Sequence, residues 1–401
     1  IVLFFETKME TSLIFICLII TNIAGQSCSS MNDCSYNGKC MNQICECFPQ
    51  WIGGHCASLN IIPGPKNAGL HSTVNGTRTT TWGGSIVFDN ISKEYHMIAA
   101  EIEESCGMTV WLSNSQIVRA TSKTFDGEYI RKEVVKGGEL FSHEPNMVQA
   151  LDTGEFVVFY THNYPPATFK YPCYGCKDGV TQNCPENGDD DYSRNWDIPL
   201  PTKMIYTANI SDNNAWSDII DLDHVSPAPY IDSNLACYIF PNGSLIGVLR
   251  NDMDPVEKTY NFITASNWKD NTTYETHGLL PFSGKTIAYF GEDPFVWYDY
   301  DRDIIHTLWH YTYDGNDFPN GIHAFSDDGG KTFHAFLDFG IYPAEWAYGN
   351  VVQYTDGSTQ TLDAAERPHL VLDGYTPLAL TNGVRPPNSG DIDYSYTLLR
   401  P

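Results

Sequence analysis

The chain has 401 residues, room for one large domain or two ordinary ones, and only 18% of them are charged. Gly, Tyr, Phe and Trp are plentiful, a profile of short strands and tight turns. The formal charge of −26 argues against a nucleic-acid partner, because an acidic surface repels phosphate instead of releasing its counterions, and it suits a soluble secreted protein.

Residues 1–8 precede the first plausible start methionine, Met9, and read as translated leader. From Met9 the chain runs through Leu13-Ile14-Phe15-Ile16-Cys17-Leu18-Ile19-Ile20 to small residues at Ala24-Gly25. An apolar core this short predicts a signal peptide over 9–25, its positive flank reduced to Lys8. No later apolar run is long enough to cross a bilayer, so a secreted, extracellular protein with no membrane span is expected.

Secretion makes the cysteines readable as disulfides. Cys28, Cys34, Cys40, Cys45, Cys47 and Cys56 fall within residues 26–58, a stretch too small to fold without staples. Spacing alone leaves fifteen connectivities, and a zinc site is the rival use of such a cluster. The run Cys47-Phe48-Pro49-Gln50-Trp51-Ile52-Gly53-Gly54-His55-Cys56 carries an aromatic residue followed two positions later by Gly. With the other spacings, it resembles an EGF-like module. The resemblance implies the pairs Cys28–Cys40, Cys34–Cys45 and Cys47–Cys56, and a module that contacts extracellular proteins. The acidic pattern of calcium-binding EGF modules is missing before Cys28, so no calcium is expected there. Of the remaining cysteines, Cys173, Cys176 and Cys184 lie in a Gly/Asp/Asn-rich loop that disulfides or a metal would staple. With Cys106 and Cys237 these make an odd set, so one thiol is left over.

Residues 59–77 read as a linker. Sequons at Asn75, Asn90, Asn209, Asn242 and Asn271 predict surface turns and glycosylation. From residue 78 to 401 the pattern is all-β. Strands are predicted at 85–88, 95–99, 147–151, 156–160, 235–240, 245–250, 295–297 and 304–309, bounded by hairpin signals. They group into a repeat of roughly 60–70 residues. Each unit opens with a strand mouth marked by Gly or Pro: Trp82-Gly83-Gly84-Ser85, His143-Glu144-Pro145-Asn146, Ser226-Pro227-Ala228-Pro229, Glu292-Asp293-Pro294-Phe295 and Glu366-Arg367-Pro368-His369. Proline lacks an amide donor and belongs at such strand starts. The first four units then reach an exposed strand ending near Ser122, Asn209, Ser266 and Ser326. The last of these runs into Ser326-Asp327-Asp328-Gly329-Gly330-Lys331-Thr332-Phe333, a turn locked by Asp and Ser side chains. Asp299-Tyr300-Asp301-Arg302-Asp303 reads as a hairpin turn, since a calcium loop would need Gly and Glu where Ile304 and His310 stand. Five mouths predict five four-stranded blades around an axis, closed by pairing of 394–399 with the start of the domain. A two-sheet sandwich is the alternative.

In this order the mouths, with Leu380-Thr381-Asn382-Gly383-Val384, resemble the five-bladed β-propeller of glycoside hydrolases, the family-43 and family-32 superfamily. The resemblance implies an all-β propeller, a glycan or oligosaccharide partner, and carboxylates at the mouths. Glycosidic cleavage needs one protonated carboxyl and one carboxylate. The candidates are Glu144, Asp293, Glu366 and, in support, Glu292, with Asp232 as a further carboxylate. Of the neighbours Glu292 and Asp293, one is expected to face the axis. Trp82, His143, Trp297, His310 and Arg367 are candidates for sugar contact, and Trp111, Trp309 and Tyr311 for stacking. No cofactor or metal is expected. The family places catalytic carboxylates at its first three mouths; here the first offers Ser85 and the third none. Two readings follow, a glycosidase and a non-catalytic carbohydrate-binding or structural propeller.

Overall fold

The computed structural model describes residues 27–74, 77–103, 106–162, 201–225, 234–251, 259–280, 291–313, 316–338, 342–387 and 394–401. Cys173, Cys176, Cys184, Ser226 to Pro229, Asp232 and Asn75 lie outside them.

Five antiparallel sheets stand around one axis. Blade one holds Thr80–Asp89, Glu94–Ile102, Ser115–Ser122 and Ile130–Val134. Blade two holds Ser142–Gln149, Phe156–His162, Thr202–Thr207 and Ile220–Asp221. Blade three holds Ala236–Ile239, Leu245–Asn251, Thr259–Ala265 and Tyr274–Leu279. Blade four holds Glu292–Asp299, Ile304–Tyr313 and Asn316–Ser326. Blade five holds Ala364–Asp373, Thr376–Arg385, Tyr396–Arg400 and the early pair Gly69–Leu70. The first strand of each blade is innermost and packs on the next, the fifth returning to the first.

Period-two alternation explains the ring. In the strand Phe156–His162, Phe156, Val158 and Tyr160 enter one apolar cluster, with Ile98 and Ile117 of blade one. Val157 and Phe159 enter another, with Leu235 and Leu245 of blade three. Each sheet is thus apolar on both faces, and a radial stack buries both. A two-layer sandwich would leave one face of each sheet wet.

The last strand closes the ring, but with a partner upstream of the predicted start of the domain: Tyr396–Arg400 lies between Thr376–Arg385 and Gly69–Leu70. Gly69, inside the stretch read as linker, is therefore the outer strand of the last blade. Its φ of 107° and the close approach of the Thr397 carbonyl leave no room for a Cβ. Blade four departs from the four-stranded expectation. The edge of Asn316–Ser326 is met instead by single bridges, Phe325 to His334 and Gly321 to Tyr348. The third strands, read as exposed, are largely buried, because in blades one to three a fourth strand follows. The Ser326–Phe333 turn is locked as predicted: Ser326 Oγ donates to Asp328 Oδ1 at 2.8 Å, and the same carboxylate oxygen accepts the Thr332 amide at 2.8 Å.

Three disulfides, Cys28–Cys40, Cys34–Cys45 and Cys47–Cys56, staple the N-terminal segment, and they are the pairs the resemblance implied. Cys106 is disulfide-bonded to a partner outside the described residues, and Cys237 is a buried free thiol. The segment is docked on blade four. Trp51 stacks near Trp297, ring centroids 6.4 Å apart, and lies 4.9 Å from the His323 ring. Glu345 accepts the His55 amide at 2.8 Å, and Tyr36 donates to Asp327 at 2.8 Å. Among the described residues no helix is long and apolar enough to cross a membrane.

Candidate axial site

One backbone device repeats at every mouth. Gly83, Glu144, Asn234, Asp293 and Arg367 all have positive φ, between 40° and 65°, one at the start of each inner strand. In blades one, two, four and five the residue sits in a register shift between inner strand and neighbour. Such a bulge turns one residue out of the pleat, here toward the axis. Left-handed φ in non-glycine residues costs energy and persists only where surroundings enforce it. In blade three the residue with this backbone is Asn234, just before the strand Ala236–Ile239, while Ser226 to Pro229, read as that mouth, lie outside the described residues.

The five residues meet. The Arg367 guanidinium fills the centre, its Nη1 2.9 Å from Glu144 Oε1 and 3.2 Å from Asp293 Oδ1. Nη1 also donates to Asn234 Oδ1 at 3.2 Å, while Asn234 Nδ2 donates to Asp293 Oδ1 at 2.9 Å. The Arg367 amide donates to Asp293 Oδ2 at 3.2 Å. Gly83 leaves the space: a Cβ there would stand 2.9 Å from Arg367 Nε. All four polar members are buried, Arg367 at 3% and Glu144 at 8% exposure. Burial pushes the Asp293 carboxyl up from its ordinary value, against the opposing pull of Arg367.

Around this core lie the other candidates. Glu292, the neighbour that does not face the axis, pairs with Arg250 at 2.6 Å and lies 3.9 Å from His310 Nδ1. Glu366 lies 3.8 Å from Arg385. Oxygens of Asp293 and Glu366 and a ring nitrogen of His310 are all within 4.8 Å of one another. Glu144, Asp293, Glu366, Glu292, His310 and Arg367 are thus brought together.

His143 stands just behind. Its Nδ1 is 2.6 Å from Ser115 Oγ and its ring 4.7 Å from that of Trp111, while burial and then Arg367 hold it well below its ordinary pKa. Trp82 is buried against Ala100 and Ala364, between blades one and five. Trp297 lies away from the axis, between Trp51 and His306. Trp309 and Tyr311 are buried in the cluster between blades three and four. These four rings pack the structure: Trp82 and Trp297 from inner strands, Trp309 and Tyr311 from the second strand of blade four. Asn90, Asn209 and Asn242 are exposed, and Asn271 is half-buried in a short turn. Sequence reasoning missed Asn234, Arg250 and Arg385. Asn234 has no Gly or Pro beside it; an isolated Asn one residue before a strand, tolerant of left-handed φ, was the available signal.

No protein-family model and no curated protein matches this chain. Solved structures do. An α-L-arabinofuranosidase from Podospora anserina, in complex with cellotriose, superposes with a TM-score of 0.50 at 11% identity, over 85% of this chain and 94% of that one. A family 117 glycoside hydrolase from Zobellia galactanivorans gives 0.48 at 13% identity, over 86% and 89%. A protein of unknown function from Dyadobacter fermentans gives 0.47 at 11%, over 85% and 96%. At such identities the likeness is one of fold: the chain has the five-bladed propeller found in glycoside hydrolases.

Proposed function

We propose that the chain is a secreted propeller that binds an extracellular glycan at its axial mouth without hydrolysing it. The observation that carries this reading is Arg367. Its guanidinium takes both Glu144 and Asp293, two of the carboxylates that would serve as a catalytic couple. Carboxylates neutralised by one shared cation are poor bases and poor nucleophiles. Charged and amide groups around the mouth remain suited to hydroxyl-rich ligands. In this reading residues 9–25 are a signal peptide, 26–58 an EGF-like module, and Asn90, Asn209 and Asn242 glycosylation sites. The hairpin tip at Met41 and Ile44, 48% and 55% exposed, is left free of the propeller to meet an extracellular protein.

One observation favours hydrolysis instead. The raised pKa of Asp293, with Glu366 within 4.8 Å, is what a general acid and its partner require. A glycan screen that reads both binding and release of reducing ends separates the two. Saturable binding without turnover, in the native chain and in Asp293→Asn alike, supports the binding reading. Turnover that Asp293→Asn abolishes replaces it with the glycosidase.

A further inference from the structure

We propose that a cleft between the end of the disulfide-stapled segment and blade five binds an organic carboxylate with an apolar body, the carboxylate held by Arg400. The cleft has a volume of about 340 Å³ and is walled by parts of 52–65 and 346–354 and by the end of the strand Tyr396–Arg400. At about 30 Å³ apiece, that is room for about ten non-hydrogen atoms. Arg400 lines it and is 3% exposed. Two other lining residues hold its guanidinium: the Tyr348 ring, whose centre is 5.2 Å away, and the Gly349 carbonyl, which accepts from Nη1 at 2.6 Å. Nη2 donates to Asn382 Oδ1. The buried Nε–H has no hydrogen-bond partner in the protein.

Its surroundings set Arg400 apart. Four arginines are buried among the described residues. Arg119 is 2.6 Å from Glu133, Arg250 is 2.6 Å from Glu292, and Arg367 is 2.9 Å from Glu144. Among the described residues Arg400 has no such carboxylate; the ionisable groups beside it are Tyr348, Tyr354 and Tyr396. Burial raises the pKa of all three, so at neutral pH they are uncharged phenols. Burial also lowers Arg400 to about 10, which leaves it a cation. A buried cation without a counter-charge is costly, and a carboxylate accepting two N–H groups side by side offsets that cost. The rim selects the rest of the ligand. Ile52, Ile62 and Val351 are 48%, 56% and 58% exposed, and Leu59 and Val352 line the wall below them. Aliphatic side chains around a buried guanidinium fit a molecule that is anionic at one end and apolar at the other.

The full chain is titrated by calorimetry with octanoate, and with octanol, acetate and inorganic phosphate as controls. The site predicts one saturable equivalent of octanoate, with each control weaker by about tenfold or more. N-acetyl-leucine is the second probe. Tighter binding than octanoate supports the site and marks a peptide's C-terminal residue as its source, and weaker binding supports it and marks a free aliphatic acid. The Arg400 Nε–H resonance should shift as octanoate is added. Arg400→Gln should remove the binding but, by loosening Gly349 and Asn382, risks the fold. Ile62→Glu on the exposed rim therefore gives an independent reading: an unchanged Tm, with octanoate weakened about tenfold or more by like charge. Absence of saturable octanoate binding overturns the proposal, as does octanol, acetate or phosphate binding equally well. So does octanoate binding that Ile62→Glu leaves unchanged. The cleft lies on the third strand of blade five and not at the axial mouth, so the result stands apart from the glycan reading above.

Discussion

Arg367 holds the axis together because it is a cation among groups that would otherwise repel one another. Removing one partner of a buried pair leaves an uncompensated charge and costs about 3–5 kcal/mol. Arg367→Met should destabilise the chain by that order at neutral pH, measured by chemical unfolding. The deficit should shrink on acidification: without the opposing pull of the guanidinium, the Asp293 carboxyl, already raised by burial, rises further above its unfolded value. Its contribution is then present at low pH and lost as pH climbs through the raised value. Histidine acts in the opposite sense. His369 accepts from Asn146 at Nε2 (3.1 Å) and meets the Arg367 carbonyl through Nδ1 (3.3 Å), so it is neutral by geometry. Burial first, then Arg367, lower its pKa to about 3, and burial lowers that of His323 to about 3. A depressed folded value means stability present above the unfolded value near 6.5 and lost as pH falls toward 3. Tm should therefore drop between about pH 6.5 and 3, and His369→Gln, if it folds, should flatten that slope.

The strand mouth is the element on which both fold and site depend, and its positive φ makes it selective about its residues. At Gly83 a methyl group would strain the backbone and press on Arg367. Gly83→Ala should cost roughly 1–3 kcal/mol and loosen the Glu144–Arg367–Asp293 contacts, visible as lost hydrogen-exchange protection at the Arg367 amide. Four of the five mouths were legible because Gly or Pro marks a bulge by its own chemistry. The third was not: the residue with left-handed φ before the strand Ala236–Ile239 is Asn234, which has no Gly or Pro beside it, and Ser226-Pro227-Ala228-Pro229, which carries the stronger local signal, lies outside the described residues. Alternation located the strands but not which side of a bulged residue meets the axis, so Trp297 read as a mouth residue when it packs under Trp51. The carboxylates were legible as a set. Their arginine partners, Arg250 and Arg385, arrive from second strands, and no local pattern ties them to the mouths.

For the molecule as a whole, a ring is as stable as its closing joint. That joint is Gly69–Leu70 on Tyr396–Arg400, residues more than three hundred positions apart in sequence. Gly69→Val should open it, lowering Tm and broadening the unfolding transition, since blades one and five would no longer melt as a unit. Blade four has a different weakness. Among the described residues its third strand pairs with no fourth, meeting only single bridges at Gly321 and Phe325, and the disulfide-stapled segment lies against that side through Tyr36 on Phe325 and Trp51 on His323. A bare sheet margin is a template for pairing with another chain. A molecule clipped after Cys56, or reduced so that its staples fall away, would thus present a sticky flank to its neighbours. Self-association, before any loss of the ring itself, would be the first sign of damage.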